Sequence, residues 1–191
     1  MGLKLLSGPA AEPVSIDEVK AHLRVDGNNE DALIASLVLT SRLHIETALG
    51  LAMMTQQWQL VLDTWPADAI VKLGIAPVQA INEVRVIDKD GAAIVVPSSS
   101  YTLEVTGRPA RLVAGDHAWP SPGRKAGGVQ IDFTAGFGAT PEAVPAPIRQ
   151  ALLLLVTHWY EHRDPIEIGA PATAVPQAVS HLLHAYRSVR V

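Results

Sequence analysis

The hydrophobic pattern of this 191-residue chain changes period twice, and this limits the possible folds more than any other feature. Apolar residues recur at helical spacing in residues 1–54 and again in residues 141–191, whereas residues 55–140 contain short, often alternating β-branched runs. Apolar residues at helical spacing do not fall on one face of a strand, and alternating apolar residues do not fall on one face of a helix. The order therefore predicts an α+β protein, in which two N-terminal and two C-terminal helices form a four-helix framework interrupted by an inserted β domain.

The N-terminal helical part, residues 1–54, contains two predicted helices. Ser15-Ile16-Asp17-Glu18 has the spacing of a capping box and predicts a helix over residues 16–24. The second helix is expected to begin near Asn29 or Glu30 and to stop at Gly50, because glycine readily adopts the left-handed conformation that ends helices. Its predicted core stripe consists of Ile34, Leu37, Val38, Ser41, Ile45, Ala48 and Leu49.

Leu39 and Leu43 lie one turn apart on roughly the opposite side of this second helix, where a solitary surface helix would be polar. Two explanations stay open at this stage. The leucines either pack beneath another part of the same chain or contact another subunit, since a second apolar stripe suggests a partner. We therefore take them as the candidate subunit interface.

The middle of the chain predicts six or seven mostly antiparallel strands, because its β-branched runs are separated by Gly, Pro and Asp turns. Asp88-Lys89-Asp90-Gly91 has the composition of a tight hairpin, in which Gly91 supplies the positive φ. Short connections favour a small β-sandwich or barrel-like domain over a parallel sheet with helical crossovers.

The C-terminal helical part, residues 141–191, is expected to pack with residues 1–54. A long apolar helix begins in a proline-containing segment, where proline is tolerated, and ends before Asp164-Pro165. A linker rich in Gly, Ala and Pro at residues 165–176 leads to a final helix over residues 177–187. One face of that last helix carries Val179, Leu182, Leu183 and Tyr186.

Composition removes several classes of function. The chain has no cysteine, which excludes disulfides and thiolate metal sites, and its formal net charge of -4 does not suit tight binding to nucleic-acid phosphates. The first residues do not form a signal peptide, and the longest apolar run, residues 151–156, is too short to span a bilayer. We expect a soluble protein that makes no membrane contact.

One motif points to catalysis. His158, Glu161 and His162 match H-x-x-E-H, the pattern of a family of zinc peptidases, and predict as an alternative a zinc-dependent hydrolase with Glu161 as general base. A catalytic zinc needs a third protein ligand, and the downstream candidates Glu167, His181 and His184 have no recognisable spacing. We therefore predict a protein that is not an enzyme, without catalytic, metal-binding or cofactor-binding residues.

Several ordered segments are distributed along almost the whole chain: the opening leucines and Pro9, EPVSIDEVKAHLRVD, the following ED-A-LI helix, MMTQQWQLVLDTWP, the loop GRPARLV, VQIDFTAGFG, VPAPIRQALLLLVTHWYEHRD and LLHAYRSVRV. Together they resemble the longer head-to-tail connector (adaptor, head-completion) proteins of tailed bacteriophages and phage-derived gene transfer agents.

The resemblance implies an adaptor subunit made in the bacterial cytoplasm and located in the neck of a virion or phage-like particle. Such a subunit forms a ring, expected to be dodecameric, under the portal protein, and joins the next neck component, a stopper or tail terminator. DNA passes through without sequence-specific binding. By analogy, the candidate portal contact is the C-terminal end, which consists of Tyr186, Arg187, Val189, Arg190 and Val191. A tail or baseplate binding protein that uses the β domain is a further alternative.

Overall fold

A computed structural model describes residues 1–115, 119–162 and 175–187 and has an α+β fold. The described residues form four helices: α1 (Ile16–Leu23), α2 (Asp31–Leu49), α3 (Ala146–Glu161) and α4 (Gln177–Leu183). They also form eight strands: β1 (Gly2–Ser7), β2 (Gln56–Leu62), β3 (Ile70–Leu73), β4 (Val78–Ile87), β5 (Ala93–Val95), β6 (Tyr101–Glu104), β7 (Ala110–Ala114) and β8 (Val129–Ala135).

The chain divides into two compact units, each built from two separate stretches of sequence. The first consists of Met1–Ala10 and Gly50–Phe137, and the second of Ala11–Leu49 and Gly138–Val191. The eight described strands belong to the first unit and the four described α-helices to the second. We refer to them as the β unit and the helical unit.

The β unit contains two antiparallel sheets. Five strands follow the order β1-β2-β8-β4-β5, and three follow the order β3-β7-β6. The central strand β8 alternates strictly: Val129, Ile131, Phe133 and Ala135 are all fully buried, and the residues between them are half-buried. This period of two is the pattern expected of a strand with one face in a core.

One buried cluster contains residues of both sheets, including Leu60, Val84 and Ile131 from the larger sheet and Val71 and Leu112 from the smaller one. The described strands do not close into a barrel, since the two sheets remain separate. The sequence pattern does not predict two of the strands. In β1 the alternation of apolar residues stops at Leu6, and four of the five residues of β7 belong to GRPARLV, which the sequence alone indicates as a loop.

The predicted hairpin between β4 and β5 is confirmed. The Asp88 carboxylate accepts hydrogen bonds from the backbone amides of Asp90 and Ala92, both at 2.8 Å, and Gly91 has φ 91°. The turn therefore uses the aspartate and glycine chemistry that its sequence indicated.

The helical unit begins with the predicted cap. The Ser15 hydroxyl accepts a hydrogen bond from the Glu18 amide at 3.1 Å, which satisfies one of the free amides at the start of α1. Glu18 does not complete a capping box, because its carboxylate accepts two hydrogen bonds from Arg149 of α3, both at 2.8 Å. Arg149 also donates to the Pro13 carbonyl at 3.0 Å, so this one side chain ties α3 to the segment around the start of α1.

The core of the helical unit is formed mainly by α2 and α3. Ile34 and Ile45 of α2 and Ile148, Leu152 and Leu155 of α3 are fully buried. The predicted stripe on α2 is correct at five positions, but Leu37 is half-buried and Ala48 is exposed. The last predicted helix is shorter than expected, because α4 ends at Leu183 and His184–Tyr186 form a 3-10 turn.

Candidate assembly surfaces

Leu39 and Leu43, which we call the leucine ridge, are exposed on α2. Their side chains are 43% and 48% exposed, so the described residues leave both of them largely uncovered. Ala32, Ala35 and Ser36 lie on the same face of the helix and are also exposed. Those side chains are small and uncharged. The two leucines therefore protrude from this face of the helix. Whether another subunit covers this ridge stays a prediction.

A buried ionic cluster lies on a neighbouring face of α2. Arg42 donates to the Glu12 carboxylate at 2.7 and 3.1 Å and to the Glu46 carboxylate at 2.9 Å. The Arg42 and Glu46 side chains are only 6% and 8% exposed. Burial by itself would lower the pKa of Arg42, but the hydrogen bonds and charges of Glu12 and Glu46 outweigh it and raise that pKa. The cluster fixes the segment before α1 to α2.

By length and composition, α2 is also the one described helix that could cross a membrane, with 19 residues and a mean hydropathy of 1.3. Core helices of water-soluble proteins pass the same test, and α2 has the features of a core helix. One face is buried within the helical unit, and the Arg42–Glu46 ion pair lies along it.

A small recess lies between α2 and α4. Its volume is about 120 Å³, and its lining is mostly apolar, with Ile45 and Leu49 from α2 and Val179 and Leu183 from α4. Ala48, which was predicted to be in the core, lines this recess instead. Nearby, the His44 ring contacts the edge of Trp159, with ring centroids 5.7 Å apart. We call this cavity the α2–α4 recess.

The candidate portal contact is described only in part. Tyr186 is half-buried in the 3-10 turn after α4, and Arg187 is exposed and lies at the α2–α4 recess. Val189, Arg190 and Val191 lie outside the described residues. Their predicted role at the portal stays a prediction.

The H-x-x-E-H motif spans the last turn of α3 and His162, the residue that follows the helix. The ring centroids of His158 and His162 are 4.7 Å apart, and the His162 ring bonds through Nδ1 to the backbone carbonyl of His158 at 2.8 Å. Burial, and then the nearby His162, lower the pKa of His158. Among the described residues no group of three metal-ligating side chains occurs, so the pair has no third ligand there. Glu167 lies outside the described residues.

Two features of α2, the Arg42–Glu46 ion pair and the α2–α4 recess, were not predicted from the sequence. The Arg42 and Glu46 pair had a detectable signal, since opposite charges four residues apart face each other on a helix. The α2–α4 recess had none, because it depends on how closely two helices approach. Apolar positions at helical spacing predict only that a residue faces another element, and Ala48 is too small to fill the space there.

The chain is similar to known proteins along its whole length. Residues 12–189 match the family model of the head completion protein family. One similar solved chain is in the structure entitled "Virion of native gene transfer agent (GTA) particle", with 30% identity, a TM-score of 0.84, and coverage of 100% of this chain and 97% of that one. Among curated protein sequences, none matches.

Two more similar chains come from structures of the neck of GTA particles. One is entitled "Neck of empty GTA particle computed with C6 symmetry", with 29% identity and a TM-score of 0.85. The other is entitled "Neck of native GTA particle computed with C12 symmetry", with 29% identity and a TM-score of 0.82. Both alignments cover 100% of this chain and 97% of the other. The chain therefore belongs to the head completion protein family, and it is a structural protein of phage-like particles and not an enzyme.

Proposed function

We propose that this protein is a head-to-tail adaptor that forms a ring in the neck of a phage-like particle, under the portal, and continues the DNA channel toward the tail. The similarity to a chain in a GTA neck computed with C12 symmetry carries this proposal, because the alignment includes every residue of the present chain. Twelve copies in a closed ring are the arrangement that this symmetry supports. The next neck component, a stopper or tail terminator, would bind the other side of the ring.

The leucine ridge supports the assembly of copies into a ring. A ring needs a heterologous interface, in which one surface of a subunit meets a different surface of the next. Full burial of a completely exposed leucine side chain contributes roughly 1.5–3 kcal/mol to the free energy of association. Each leucine of the ridge is a little less than half exposed. A part of this free energy would be gained at every subunit contact of a ring, and the sum over all contacts favours assembly.

The remaining parts of the adaptor proposal concern DNA, the portal and the two units. A formal net charge of -4 supports a channel along which a polyanion slides without sequence-specific binding. Tyr186, Arg187 and the following residues would contact the portal.

The shared core of the two sheets supports a sandwich, and α1 to α4 support a four-helix framework. In this view residues 55–140 are the inserted domain, joined by the strand β1 from residues 1–10, and residues 141–191 pack with the N-terminal helices of residues 11–49.

Binding to cognate portal rings tests the proposal. Purified chain is mixed with portal protein, sedimented, and imaged by electron microscopy, and we expect co-sedimentation and an added twelvefold layer. Leu43→Asp should weaken formation of that layer, whereas Ile94→Asp in β5 should not. Ile94 is the matched control because it is an apolar residue with a similar exposure, 53%, but belongs to the β unit. Failure of the unmodified chain to bind the portal would refute the adaptor function.

A further inference from the structure

The helix α2 has an apolar protrusion on one side and borders an apolar recess on another. At 3.6 residues per turn, Leu39 and Ala48 are separated by about 180° around the helix axis, and Leu43 and Ala48 by about 140°. Leu39 and Leu43 form the leucine ridge, and Ala48 lines the α2–α4 recess. The two surfaces are therefore different in shape and face in nearly opposite directions.

We propose that the leucine ridge of one copy docks into the α2–α4 recess of the adjacent copy, with Leu43 as the inserted side chain. This inference rests on the proposed ring and specifies its subunit contact. A cyclic ring of identical chains brings one surface of each copy against a different surface of the next. A protrusion and a recess on opposite sides of one helix satisfy that requirement, whereas two copies of the ridge facing each other would produce a closed dimer.

The size and the lining of the recess favour a single aliphatic side chain as its occupant. Its volume of about 120 Å³ is somewhat smaller than the roughly 150 Å³ apolar cavity that holds a benzene molecule. Most of its lining is apolar, with Ile45 and Leu49 from α2 and Val179 and Leu183 from α4, and the polar residues His44, Ser180 and Arg187 complete it, so an aliphatic side chain can bury most of its surface there. Leu43 is the more exposed residue of the ridge, and its neighbours on this face, Thr40 and Thr47, are also exposed, which leaves it free to enter.

The absence of cysteine from the sequence allows a direct test by disulfide cross-linking. A chain carrying both Leu43→Cys and Ser180→Cys, one on the ridge and one at the recess, is assembled on portal rings and oxidised. We expect a ladder of covalent multimers on a denaturing gel. Each single-cysteine chain should stay monomeric. A chain with Leu43→Cys and His181→Cys is the matched control, because His181 is an exposed neighbour on α4 that does not line the recess, and its ladder should be much weaker.

Three results would overturn the inference. Dimers from the Leu43→Cys chain alone would mean that two ridges face each other. Cross-linking within single chains, without a ladder, would mean that position 43 reaches the recess of its own chain and not that of a neighbour. A twelvefold ring in the microscope without a ladder would leave the adaptor function intact and refute this contact. Failure of the unmodified chain to form any ring on the portal would instead refute the proposed function.

Two substitutions provide an independent measurement of the same contact. Leu43→Ala removes the inserted side chain, and Ala48→Phe fills the recess from the side of the receiving copy. Each should weaken ring formation about 10- to 100-fold, the range expected for loss of one buried leucine. Because both remove the same contact, the double variant should be little weaker than either single variant. Additive effects would contradict the proposal.

Discussion

Replacement of Arg42 by methionine should strongly destabilise the helical unit, because it removes the positive charge that pairs with the buried Glu46 carboxylate. Arg42 makes three hydrogen bonds to Glu12 and Glu46, and the Glu46 side chain is only 8% exposed. Loss of one member of a buried ion pair costs about 3–5 kcal/mol, whereas loss of an exposed one costs about 0–1 kcal/mol. Arg42 belongs to the first class.

Arg111→Met is the matched control for this experiment. Arg111 also pairs with a glutamate, Glu104, at 2.9 Å, but the two side chains are 47% and 29% exposed. Urea unfolding followed by far-ultraviolet circular dichroism should show a large loss of stability for Arg42→Met and a change within about 1 kcal/mol for Arg111→Met.

A double variant separates charge burial from loss of packing. Arg42→Met combined with Glu46→Leu removes both charges of the most buried pair, and Glu12, whose side chain is 33% exposed, retains access to water. We expect this variant to recover most of the lost stability, since apolar replacement of a buried ion pair is often neutral. Equal losses for Arg42→Met and Arg111→Met, or a double variant no more stable than Arg42→Met, would refute the reasoning.

Three further predictions concern stability. Gly136→Ala should destabilise the β unit by several kcal/mol, because φ at this position is 130° and the added Cβ would overlap the Met54 carbonyl. Gly8→Ala should be nearly neutral, because an added Cβ there meets no atom within 4 Å, and thermal melts compare the two variants. Leu152→Ala should cost about 2–5 kcal/mol in urea unfolding, since the side chain is fully buried. The pKa of His158 is lowered in the folded chain, so folding favours the neutral imidazole. The stability from this preference should be lost as the pH falls below the unfolded pKa of about 6.5, and His158→Asn should reduce that pH dependence.

The elements that could be predicted from the sequence are those whose signal is local. The Ser15 cap, the end of α2 at Gly50 and the hairpin at Asp88 each depend on a few adjacent residues, and all three are confirmed. β1 could not be predicted in this way. Its six residues are all exposed, and its place in the sheet depends on pairing with β2, about 50 residues further along the chain.

The candidate site was predictable to a similar extent. Helical spacing indicated that Leu39 and Leu43 lie away from the core, and both are exposed. The same spacing placed Ala48 in the core, which was wrong. Periodicity reports the direction in which a residue points but not the distance to the next element, so it could not reveal the α2–α4 recess.

The pairing of β1 with β2 means that the β unit is encoded by two separate stretches of the sequence. The chain passes from one unit to the other three times, because Met1–Ala10 belongs with Gly50–Phe137. Deleting the long middle stretch alone would leave an apolar strand with no sheet to join, and deleting the first residues alone would expose the side of β2. The β unit is therefore not one continuous segment of the chain, and its clean removal requires two separate deletions, of residues 1–10 and of residues 50–137.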